Sequence, residues 1–192
     1  LNRFALATMM KTKTETPSTP LPNPAADGVG HINVHYKCSR NKLGRILSTY
    51  YVARFEHPYF GPFKCIEGFM LYVKTGCCDD SFRSLTGAQA KTHYRKQLEA
   101  GKLVERDIPN EERVMMSAIL AKLNHNPVIA TLFLASEAPF DEYFLFGPGN
   151  VPIRPPEGAI LTNSLTELRT LMQKGETPEL PSNEEYAKLI AR

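Results

Sequence analysis

Glu67 and Lys74 stand seven positions apart in a segment whose other residues, Gly68 aside, are apolar. On a helix with a 100° step, that spacing leaves them about 20° apart in azimuth and roughly 10 Å apart along the axis, so both point the same way. A solvated pair on a surface helix would show the same spacing, because charged residues are mostly exposed. Phe69, Met70, Leu71, Tyr72 and Val73 leave this helix too little polar surface to stand free in water. A carboxylate and an amine on one side of a mostly buried helix must share a cleft. Such a cleft is equipped for acid–base and electrostatic work.

The elements around this pair follow from local patterning. The segment 66–74 has no Pro and no β-branched run, and Gly76 follows where a helix C-terminus tolerates positive φ, which predicts a helix. Upstream, residues 11–30 are rich in Pro, Thr and Gly without apolar periodicity, so residues 1–30 are expected to be a disordered tail or linker. Residues 31–192 are expected to form one domain. Ile32, Val34 and Tyr36 alternate with polar residues as a half-buried strand does, and a second strand is expected around 46–55. His57, Pro58 and Gly61-Pro62 predict a turn. Downstream of Lys74, a helix is expected from Asp79 or Asp80 to Ala100, weakened in its middle by Gly87. Asn110 is placed to cap the next helix, and Asn126 with Pro127 to start another. The prolines and glycines between Pro139 and Pro156 predict a long irregular loop, which in a compact domain is more often functional than idle. Thr162 or Asn163 then opens a helix ending at Gly175, and Ser182 or Asn183 caps a short one at the C-terminus. The expected class is α+β: a mostly helical single domain with a small N-terminal antiparallel sheet.

Composition narrows the function classes. The chain has 192 residues, 42% of them hydrophobic, which is enough for one good core. No apolar run approaches the roughly 20 residues needed to cross a bilayer, so a soluble, cytoplasmic chain is expected, with no membrane partner. The first ten residues lack a small-residue cleavage site and carry little weight. The four cysteines form no CxxC pair and no ligand spacing, and adjacent Cys77 and Cys78 would bridge only with strain, so reduced thiols are expected. A net charge of +3 is too small to argue for nucleic acid by itself. Two basic segments could still meet phosphate: 37–45, with Arg40, Lys42 and Arg45, and 91–96, where His93, Tyr94 and Arg95 interleave charge with aromatic surface. The histidines show no metal-ligand spacing outside the presumed strand at His31 and His35, so no metal is expected. Without a GxGxxG, Walker or GxSxG motif, nucleotide-cofactor and serine-hydrolase chemistry have no footing, and no cofactor is expected.

An ordered set of short segments resembles the NADAR (YbiA-like) superfamily. Leu47-Ser48-Thr49-Tyr50 is similar to its Ser-Asn-Phe segment, and Ile66-Glu67-Gly68 followed by Lys74 is similar to its Glu opening a helix with a Lys seven positions on. The likeness continues through Arg113-Val114-Met115, Ala121-Lys122-Leu123 with Asn126-Pro127, Leu134-Ala135-Ser136, Phe146-Gly147-Pro148-Gly149 and the stretch 161–169. It spans residues 43–169 in the family's order. Gly68 stands where the family has His, Thr49 where it has Asn, and the chain has no Trp.

The resemblance implies cleavage of an N-glycosidic bond, either in ADP-ribose attached to a guanine base, free or within DNA, or in a ribosylated pyrimidine intermediate. Leaving of the base builds oxocarbenium-like charge, which Glu67 could stabilise, or Glu67 could deprotonate the attacking water. Lys74 could act as a cation on a phosphate or the leaving base, or as an amine forming a Schiff base with opened ribose. Arg83 is a further phosphate candidate, since the resemblance puts a basic residue near it. The substrate contacts expected from these segments are Ser48, Arg45, Arg83, Phe146, Gly147 and Asn150. The alternative is a non-catalytic module holding ADP-ribose or an NAD-type nucleotide in the same cleft.

Overall fold

The computed structural model describes residues 20–155 and 159–190. The tail expected at residues 1–30 lies partly outside them; among residues 20–30, Asp27 is buried and the others are half-buried or exposed. Asn23 caps a single 3-10 turn, Pro24–Ala26. The buried Asp27 carboxylate accepts from the Ser39 hydroxyl and from the backbone N–H groups of Asn33 and Arg40. That network ties the segment to the domain.

The order of elements mixes helices and short strands. Strand β1 (Ile32–Asn33) pairs in parallel with β4 (Phe140–Asp141), more than a hundred residues away, through Ile32↔Phe140. The antiparallel pairs are two separate hairpins: β2 (Phe55–His57) with β3 (Gly61–Phe63), and β5 (Phe144–Phe146) with β6 (Val151–Ile153). The expected antiparallel N-terminal sheet is therefore only β2–β3, while the first strand joins the far half of the chain.

The second strand expected at 46–55 is instead helix α1 (Lys42–Leu47) and a turn leading into β2. The Asn41 side chain accepts from the N–H groups of Leu43 and Gly44, and Leu43, Ile46 and Leu47 then fall on one buried helical face. Helix α2 (Ile66–Lys74) has its expected bounds, with Gly76 at φ +70° beyond it. The long helix expected after Lys74 is broken. Asp80–Arg83 is one 3-10 turn, and α3 runs from Gly87 to Glu99 behind a Thr86/Gln89 capping box. Gly87 cannot be replaced freely there, because an added Cβ would come within 2.5 Å of Tyr50 Cα.

Helix α4 (Glu111–His125) crosses the centre of the molecule, packed on α2, on β2 and on α6 (Ile160–Gln173). Asn110 precedes it in the left-handed region (φ 55°) and makes no side-chain cap, contrary to expectation. Asn126 likewise leaves α5 (Pro127–Leu134) uncapped and donates its side-chain amide to the carbonyls of Arg54 and Lys122. The loop expected between Pro139 and Pro156 contains β4 and the β5–β6 hairpin. Helix α6 begins two residues before Thr162, whose hydroxyl donates to the Ala159 carbonyl. Ser182 caps α7 (Asn183–Leu189) with Glu185 completing the box, as its spacing suggests.

The core joins Phe55, Phe63 and Phe69 to Met116, Ile119 and Leu123 of α4 and Leu165 and Leu168 of α6. Among the described residues, no helix is long and apolar enough to cross a membrane.

Candidate functional site

Four residues of α2 at helical spacing, Glu67, Met70, Leu71 and Lys74, form one stripe along the floor of a cavity of about 540 Å³. That volume lies within the range of ligand pockets, roughly 300–1,000 Å³. One wall is the turn after α1, with Ser48, Thr49 and Tyr50, beside His35 and Tyr36. Lys91 and Arg95, one turn apart on α3, supply cations. The first residue of α4, Glu111, the β4–β5 turn with Glu142, and Phe144 at the start of β5 close the far side. The shared side of α2 expected for Glu67 and Lys74 is what the structure has.

Glu67 sits in the first turn of α2, where the helix dipole favours an anion. Its side chain is only 12% exposed. Thr49 holds it twice: the Thr49 hydroxyl donates to Oε2 at 2.9 Å, and the Glu67 N–H donates to the Thr49 carbonyl at 2.9 Å. Lys91 Nζ lies 3.8 Å from Oε1. Lys74, in the last turn and 30% exposed, places Nζ 3.0 Å from a Glu105 carboxylate oxygen. Its carbonyl accepts from the Arg106 N–H, which binds the 105–106 segment to the end of α2.

Tyr36 and Tyr50 stack with centroids 4.9 Å apart and planes 15° from parallel, making an aromatic step on the cavity wall. Burial and the nearby Lys37 ammonium lower the pKa of His35 beside them.

The other expected contacts divide. Ser48 lines the cavity; Arg45 does not, and donates instead to the Ser39 carbonyl. Arg83 is a structural cation. Its guanidinium lies over the Phe63 and Tyr72 rings, donates to the Tyr72 hydroxyl and the Phe60 carbonyl, and pairs with Asp80. Phe146, Gly147 and Asn150 sit at the tip of the β5–β6 hairpin, with Phe146 65% exposed. The aromatic ring that reaches the cavity from this hairpin is Phe144, two residues earlier.

Gly68, where the resemblance expects His, faces away from the cavity. An added Cβ there would lie 2.4 Å from the Phe82 carbonyl oxygen, so α2 and the Asp80–Arg83 turn approach too closely for any side chain.

Sequence reasoning missed Thr49 and Glu105 as partners, and it missed Lys122. Lys122 lies on α4 with its side chain fully buried, and its Nζ donates to the carbonyls of Ile46 at 2.7 Å and Ser48 at 3.4 Å. Burial brings its pKa down to about 7. The available signal was a lysine set among apolar neighbours on a buried helix. Lys91 and Arg95 were legible as part of the basic segment 91–96. Among the described residues, no three His, Cys, Asp or Glu side chains are grouped to hold a metal ion.

No family model matches this chain, nor does any curated protein or solved structure.

Proposed function

We propose that this protein cleaves the N-glycosidic bond of a ribosylated base, with ADP-ribose on guanine as the substrate class and Glu67 and Lys74 as the reacting pair. The observation that carries the reading is one carboxylate, mostly out of water, sharing a cavity floor with an amine while Lys91 and Arg95 look in from the wall. The ordered resemblance over residues 43–169 supports the same chemistry.

In this reading the base stacks against the Tyr36–Tyr50 step, and the phosphates meet Lys91 and Arg95 as point charge and guanidinium fork. As the C1′–N bond breaks, its electron pair leaves with the base, which takes up a proton from solvent. Water adds to C1′ from the other face, and the Glu67 carboxylate receives the proton that water loses. The same carboxylate faces the positive charge developing on the ribose, a stabilisation worth most where water is excluded. Lys74 acts as a cation, its Nζ held 3.0 Å from a Glu105 carboxylate oxygen.

The test is to incubate the protein with DNA carrying ADP-ribosylated guanine, and to follow both release of ADP-ribose and retention of the DNA. Release in the wild type that falls at least about a hundredfold in E67Q and in K74A is the expected outcome. Retention without release assigns the cavity to a nucleotide-binding module. Neither release nor retention removes this substrate class.

A further inference from the structure

We infer that Lys122 is the positioning residue for Glu67, acting from beneath the cavity through the turn at 46–51. The inference rests on the reading of Glu67 as the group that handles the attacking water, and it extends the machinery to a residue that touches no substrate.

A helix leaves its last carbonyls without partners, and α1 ends against the core, where water cannot supply them. The Lys122 amine supplies a donor to the Ile46 carbonyl and a second one to the Ser48 carbonyl, which also accepts from the Tyr51 N–H, and its Nζ lies 5.6 Å from the Tyr51 ring centroid. A buried polar side chain is costly unless its hydrogen bonds are made, and an apolar replacement would leave the Ile46 carbonyl without this donor. The geometry of the turn it binds therefore depends on the lysine.

What it binds is the turn that carries Thr49. That residue grips Glu67 from both ends, hydroxyl to carboxylate and carbonyl to amide. The chain of contact runs from Lys122 Nζ to the Ile46 and Ser48 carbonyls, to Thr49, to the Glu67 side chain. Tyr50, the next residue, supplies the aromatic step. One buried lysine thus ties together the carboxylate and the wall beside it. The titratable groups near this chain are the Cys65 thiol, whose pKa burial raises, and Lys91 and Lys74 on the cavity side.

The Glu67 N–H bonded to Thr49 is a built-in reporter that needs no substrate. Amide exchange is compared in the wild type, K122M and K122Q, with Leu168 in the middle of α6 as the internal reference. The expected result is that K122M speeds exchange at Glu67 about tenfold or more relative to Leu168, while K122Q, which keeps a donor, stays within about threefold of the wild type. On the ribosylated substrate, K122M and T49V each lower kcat about tenfold or more with KM within about twofold, T49S retains activity, and K122M/T49V is no worse than the poorer single variant.

Equal acceleration at Glu67 and Leu168 overturns the inference, as does no acceleration at Glu67. So does failure of both lysine variants to fold while T49V folds, since the lysine then serves stability alone. If the wild type releases no ADP-ribose, the enzymatic reading falls, yet the exchange measurement still decides whether Lys122 holds Glu67.

Discussion

Histidine and lysine side chains buried in this domain show what single residues cost and how that cost is read. His57 is almost fully enclosed, stacked on Phe69 with ring centroids 4.8 Å apart. Its Nδ1 accepts from the Tyr59 and Phe60 N–H groups, and Nε2 donates to the Ser117 hydroxyl, whose own proton goes to the Val114 carbonyl. The ring is held as the neutral tautomer. Burial brings its pKa from 6.5 down to about 4. Between those values the unfolded chain binds a proton that the folded chain refuses. The stability from this site is therefore complete above pH 6.5 and is lost as the pH falls towards 4, by about 3 kcal/mol in total. Urea unfolding should show about 2 kcal/mol of this loss at pH 5, and the difference between pH 7 and pH 5 should shrink in H57N. An unchanged pH dependence in that variant would mean that His57 is not the titrating group. Nothing in the spacing of the five histidines marked this one as buried. The turn that follows it was legible, but its neighbours on α4 and α7 arrive from far along the chain.

Elements were most legible where local chemistry settled them. Helix α2 keeps its expected bounds because an apolar run without breakers ends at a glycine that can turn left-handed. The helix expected from Asp79 to Ala100 splits because Thr86 and Gln89 form a capping box, a signal present in the sequence but outweighed by the apparent continuity of the pattern. The strand expected at 46–55 failed for a tertiary reason as well as a local one. Gly44 lies so close to β1 that its added Cβ would be 2.2 Å from the Asn33 carbonyl oxygen, and α1 exists in that narrow space. Gly68 is the same device under the cavity floor. G68A should lower stability by about 1–3 kcal/mol, because the Phe82 backbone must move. G149A, where the nearest atom is 3.7 Å away and no positive φ is required, should change it little. Thermal melts of the two variants check this, and equal melting temperatures would contradict the close approach of α2 to the Asp80–Arg83 turn.

At the scale of the whole molecule, the cavity is an assembly that no single segment announces. Its floor is one helix, but its cations come from α3, its aromatic step from residues 36 and 50, and its far side from Glu111 and the β4–β5 turn. The floor could be read because seven positions on one helix lie within one element. The walls could not, because β1 pairs with β4 across most of the chain and the partners of Glu67 and Lys74, Thr49 and Glu105, come from irregular turns. Arg83, Arg45 and Phe146 were misassigned on the same ground: their residue types suit a phosphate or a base, while packing commits the first two to the scaffold and leaves the third outside. The proposed chemistry depends on Glu67 as the group that meets the water and the ribose within that assembly. The most direct test is a single-turnover measurement of ADP-ribose release from an oligonucleotide bearing ADP-ribosylated guanine, with protein in excess. The proposed chemistry predicts a first-order release in the wild type that slows at least about a hundredfold in E67Q while binding of the oligonucleotide changes less than about threefold. Release by E67Q at the wild-type rate would contradict it.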